Sequence, residues 1–101
     1  MIPGIISKVS ESVVVLATTI NPTTEVIIVT STATTTVMNT IIPPFGKTPF
    51  DNVLWVVNNS GNPITAVTTG NIASTCSFPD QTCSRFIYSN SLGKWFIEKT
   101  T

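Results

Sequence analysis

The chain has no histidine, two cysteines and ten charged residues among 101. Without histidine, Ser-His-Asp and Cys-His nucleophile arrangements are excluded. General acid–base work would fall to Glu11, Glu25, Asp51, Asp80 and Glu98, which stand apart in sequence. Two cysteines with no histidine cannot complete a tetrahedral zinc site within one chain. The five glycines are equally scattered: Ser60-Gly61 and Gly70-Asn71 are turn sequences, not a phosphate-cradling loop. The sequence reads as a non-enzyme with no cofactor.

Charge is scarce and balanced, five Lys+Arg against five Asp+Glu. Lys8, Lys47, Arg85, Lys94 and Lys99 form no cluster that could neutralise a run of phosphates, so direct nucleic-acid binding is not expected. Long apolar runs are missing too. Nothing approaches the ~20 residues that span a bilayer, and Val13 to Ala17 fails as a signal peptide because Lys8 and Glu11 precede it and no basic region opens the chain. The expectation is a protein made in a cytoplasm, with no membrane partner. A surface that relies on Thr, Ser and Asn for its solubility is commoner where much of it meets a partner.

What is present is β-forming material. Eighteen threonines, 12 isoleucines and 11 valines make 41 of the 101 residues β-branched, against three leucines. Branching at Cβ restricts χ1 and suits a pleated, half-buried surface, and no apolar pattern holds a helical period for three turns. The spacing predicts strands over Val13 to Ile20, Glu25 to Thr30, Val37 to Ile42, Val53 to Asn58, Ile64 to Thr68, Arg85 to Ser89 and Lys94 to Lys99, with a short one at Ile72 to Ser74. Asn21-Pro22-Thr23-Thr24 reads as a hairpin turn between the first two, Asn59 to Pro63 as a turn that sends Ile64 back antiparallel, and Asn90 to Gly93 as a hairpin loop. Pro43-Pro44 takes the chain out of the sheet, and Phe45 and Phe50 read as anchors in the loop that follows. Seven to eight short strands at this spacing indicate an all-β fold, a small antiparallel β-sandwich or barrel. Residues 1–12 read as an apolar arm and 13–101 as one β domain.

Several strands are apolar on both faces. Alternation places Leu54 and Val56 on one side of their strand and Val53, Trp55 and Val57 on the other. Glu25 to Val29 behaves alike, and Trp95 and Ile97 oppose Phe96. A domain this small buries one sheet face internally, so the second calls for a subunit interface or for covering loops. The candidate interface comprises Val53, Trp55, Val57 and Trp95 with Ile2, Ile5 and Ile6 of the arm, which either dock on another surface or form an edge strand of the domain. Trp55, Trp95, Tyr88 and Phe86 could alternatively form a sugar-stacking platform, although aromatics among apolar strand neighbours more often pack. Cys76 and Cys83 enclose a polar loop; they can close a disulfide worth about 2–3 kcal/mol or remain thiols in a reducing cytosol. Asn58-Asn59-Ser60 matches a glycosylation sequon but is more simply a turn.

Across Thr18 to Ile97 the chain resembles small virion structural proteins of tailed bacteriophages, including head-decoration (cement) proteins and the β-rich modules of tail fibres and appendages. The resemblance lies in threonine-rich strands, the Thr40-Ile41-Ile42-Pro43-Pro44 exit, the Asn58 to Pro63 turn, the Gly70-Asn71-Ile72 break and Gly93-Lys94-Trp95-Phe96. It implies a protein assembled in the host cytoplasm as a homo-oligomer, commonly a trimer. Such a protein needs no cofactor, sits on the outer surface of the capsid and straps major capsid protein subunits together. The alternative it implies is a tail-fibre or appendage module that binds a receptor or carbohydrate.

Overall fold

The computed structural model describes residues 11–31, 37–42 and 52–98, and within them every regular element is a strand. The strands are β1 (Glu11–Val15), β2 (Thr19–Ile20), β3 (Val26–Thr30), β4 (Val37–Met38), β5 (Thr40–Ile41), β6 (Val53–Asn58), β7 (Ile64–Ala66), β8 (Cys76–Phe78), β9 (Thr82–Ser89) and β10 (Lys94–Ile97). They form a five-stranded sheet in the order β1-β3-β6-β9-β10, a three-stranded sheet β4-β7-β8 and a two-stranded sheet β2-β5.

The all-β class stands, but the first half of the chain is parallel. β1 pairs with β3 and β3 with β6, both parallel, as do β2 with β5 and β4 with β7. The expected hairpin between the first two strands is therefore replaced by a closed circuit. Val13 to Ile20 breaks at Leu16 to Thr18 into β1 and β2, and the chain turns again over Asn21 to Glu25. One corner reverses a chain; two return it in its original direction, one strand spacing along. Likewise β7 does not fold back on β6. The Asn59 to Pro63 segment does turn, with Gly61 at φ 89°, but it delivers β7 to a different sheet. Val37 to Ile42 divides at Asn39 into β4 and β5, and Ile72 makes only an isolated bridge to Trp95. Glu11 and Ser12, assigned to the arm on sequence grounds, belong to β1.

Antiparallel pairing begins where the stack ends. β8 runs against β7, β9 against β6 and β10 against β9, the last through the expected hairpin loop with Gly93 at φ 66°. The result is a short stack of circuits whose last turn is closed by reversed strands.

Side chains facing inward from the three sheets make the core. Ile27 lies beside Val56, Val29 beside Asn58, Leu54 beside Phe86, Ile20 beside Ile41, Met38 beside Ala66 and Ile64 beside Phe78, and all of these are buried. β-Branched residues suit this arrangement because like side chains stack at the strand spacing.

Two asparagine side chains bond backbone groups that the strand ladders leave unpaired. Beside Ile41, the Asn71 carboxamide accepts from the Ile41 N–H and donates to its C=O (2.9 and 2.7 Å). Asn58, fully buried at the end of β6, donates through Nδ2 to the carbonyls of Asn62, Phe78 and Pro79 and accepts at Oδ1 from the Ser60 N–H and hydroxyl. The chain comes so close before Asn71 that a Cβ on Gly70 would collide with the Asn39 carbonyl and the Thr40 hydroxyl.

Candidate interaction surface

The inward set defines the outward one, because alternate residues of a strand face opposite sides of its sheet. On the five-stranded sheet the outer face carries Glu11, Val13 and Val15 of β1, Val26, Ile28 and Thr30 of β3, Val53, Trp55 and Val57 of β6, Cys83, Arg85, Ile87 and Ser89 of β9, and Lys94 and Phe96 of β10. Register aligns them into cross-strand rows. Val13, Ile28, Val57 and Cys83 make one; Glu11, Val26, Trp55 and Arg85 make the next; Val53, Ile87 and Phe96 the third. The middle of this surface is apolar, and its margins carry Glu11 on β1 and Lys94 on β10. Val53, Trp55 and Val57 stand at its centre, as alternation predicted, with Trp55 40% exposed.

Arg85, the charge beside the apolar centre, is held by two neighbours. The Arg85 guanidinium lies 5.7 Å from the centre of the Trp55 ring and donates through Nη2 to Glu98 Oε1 at 2.7 Å. Both members of that pair are well exposed, so it adds little to stability; its effect is to cancel charge on the face. Partial burial pushes the Cys83 thiol above its ordinary pKa.

Trp95 is a correction. It was expected at the interface, but it is 1% exposed and seals the core. Its indole N–H donates to the Ile41 carbonyl at 3.0 Å, its ring packs at 5.1 Å against Tyr88, and its backbone is tied to Asn71 and Ala73. β10 alternates in the predicted sense, but the face holding Trp95 and Ile97 is the inner one. Phe96 takes the outward place. Phe86 is also buried and Tyr88 packs against the core, so of the four aromatics that could have formed a sugar platform only Trp55 is on the open surface.

The two cysteines are free, the thiol reading of the two that the sequence leaves open. Cys76 lies opposite the inward-facing Ala66 in the three-stranded sheet, whereas Cys83 lies opposite the outward-facing Val57 in the five-stranded one. The loop between them crosses from one sheet to the other, so their side chains project from different walls. The Asn58 of the sequon is buried with its amide nitrogen committed to backbone carbonyls, in keeping with the turn reading. Ile2, Ile5 and Ile6, and the loop aromatics Phe45 and Phe50, lie outside the described residues. Among the described residues no three His, Cys, Asp or Glu side chains gather to hold a metal, and no helix is long and apolar enough to cross a membrane.

Sequence reasoning missed Val13, Ile28, Ile87 and Phe96 as members of the surface. Their alternation was legible, but only the strand order places them side by side. No protein-family model, curated protein or solved structure matches the chain.

Proposed function

We propose that this chain is a phage virion structural protein, a capsid decoration protein that forms a homo-oligomer and binds over the major capsid protein shell. The observation that carries this reading is the apolar outer face of the five-stranded sheet. Strands ~4.8 Å apart and about five residues long give that face roughly 400 Å² in plan, about half of what each partner contributes to a standard stable interface. A surface of this size supports modest pairwise contact. It suits an assembly in which several such contacts form at once, as when three copies surround an axis and each also touches the shell, because linked contacts reinforce one another.

The stacked parallel strands favour a second reading, a module of a tail fibre or appendage, since circuits of this kind lengthen into a shaft by repetition. With Trp95 and Phe86 buried, receptor or carbohydrate stacking in that version rests on Trp55.

Copy number per particle, by quantitative mass spectrometry, separates the two: hundreds of copies mark a shell component and a few mark the tail. Purified protein should form trimers through this face, single or paired, and bind expanded heads. Ile28→Lys, beside Val57 on the face, should retain the β-sheet circular dichroism spectrum while losing both trimer formation and head binding. A wild-type monomer that ignores heads would sink the proposal.

A further inference from the structure

The two ends of the five-stranded sheet are finished differently. At the β10 end, the Trp95 N–H donates to the Asn71 carbonyl and the Trp95 carbonyl accepts from the Ala73 N–H, both at 2.8 Å. At the β1 end, the Leu16 N–H donates to the Thr30 carbonyl at 2.7 Å. Peptide groups alternate in direction along a strand, so those of Ser12 and Val14 also point toward β3. Those of Glu11, Val13 and Val15 point away from it. β1 is terminal in the strand order, and among the described residues nothing pairs with that side.

An edge of this kind is normally blunted by lysine, proline or a bulge. β1 has no lysine, proline or bulge and a single charge, Glu11 at its start: its register with β3 is unbroken, and Val13 and Val15 are 65% and 53% exposed. We propose that β1 is a self-association edge, and that its partner is β1 of a second copy, running antiparallel about a two-fold axis at Val13.

Three arguments select this partner. Parity comes first. Centring the pair on Val13 sets Val13 against Val13, and Glu11 against Val15, of the two copies. All three positions have outward-pointing peptide groups, so each pair exchanges both N–H···O bonds. Charge is second: the antiparallel arrangement holds the two Glu11 side chains about 14 Å apart along the strands, at ~3.4 Å per residue, whereas a parallel one would set them side by side. Closure is third. Head-to-tail pairing of β1 with β10 of a neighbour would propagate a filament, but the outward peptide groups of Trp95 are already taken. The two-fold contact joins two five-stranded sheets into ten strands and makes their outer faces continuous. It does not rest on the virion reading. A trimer built on the face would pair into a hexamer through this edge.

Cysteine crosslinking in a Cys76→Ser, Cys83→Ser background tests the register. Across a hydrogen-bonded antiparallel pair the Cα atoms lie ~5.5 Å apart, within disulfide range, so Val13→Cys should oxidise to a covalent dimer. Val15→Cys, ~14 Å from its counterpart on the same spacing, should crosslink at least tenfold more slowly. Val13→Pro, which removes the outward N–H of the edge and keeps an apolar side chain on the face, should lower the order of assembly by half in sedimentation velocity with an unchanged circular dichroism spectrum. Equal crosslinking of the two cysteine variants would overturn the proposal. So would a wild-type protein whose β1 amides are protected from hydrogen exchange while it sediments as a monomer, since the edge would then be covered by the chain itself.

Discussion

The Asn71 side chain pairs with both peptide groups of Ile41, accepting from its N–H at 2.9 Å and donating to its C=O at 2.7 Å. A side-chain amide thus does for β5 what a further parallel strand would do. Asn71→Ala leaves the Ile41 N–H without its acceptor and should cost about 1–3 kcal/mol in urea unfolding. Asn71→Asp is isosteric but turns a donor into an anionic oxygen facing a carbonyl. Its carboxyl should titrate higher folded than unfolded, so the deficit is full above the folded-state pKa and shrinks as pH falls through it. Stability of this variant relative to wild type, followed from pH 7 to pH 4, should recover; that of Asn71→Ala should not.

Asn58 should behave as a polar keystone of its turn. Asn58→Ala is expected to cost about 3 kcal/mol, the upper end for a buried group whose partners are stranded, because three carbonyls and Ser60 lose their partner together. Asn58→Leu fills the same volume and should be no better. If chemical denaturation finds Asn58→Leu near wild type, the network contributes little and packing alone holds the turn.

The two tryptophans should report on opposite environments. Emission from Trp95, read in Trp55→Phe, should be blue-shifted and resistant to acrylamide. Emission from Trp55, read in Trp95→Phe, should be red-shifted and quenchable, becoming protected on assembly if the outer face is the contact. Trp95→Phe should cost about 1–2 kcal/mol for the lost indole hydrogen bond and volume, and Trp95→Ala about 3–5 kcal/mol.

Cys83 provides a chemical probe of the same face. In Cys76→Ser, alkylation by iodoacetamide requires the thiolate, and desolvation disfavours that form in the folded protein. The rate against pH should therefore reach its midpoint above that of the same thiol in the unfolded chain. A coincident midpoint would show that Cys83 is not desolvated. Assembly through the outer face should suppress the reaction at every pH.

Much of this was legible in the residues. β-Branched composition specified strands, turn residues marked most of the corners, and alternation separated Leu54 and Val56 from Val53, Trp55 and Val57 before any topology was known. These are local properties, decided by sterics at Cβ and by φ preferences at Gly61 and Gly93. Strand direction was not legible, because a turn at Asn21 to Thr24 looks the same whether the chain reverses or completes a second corner. Nor was the inner face of β10. Trp95 and Phe96 are both large and apolar, and it was the approach of Ile41, whose carbonyl accepts the indole N–H, that drew Trp95 inward. The sequence by itself determined an all-β chain with two apolar sheet faces. The tertiary structure decided which of them is the core and which remains open for contact, since that depends on pairings between residues far apart along the chain.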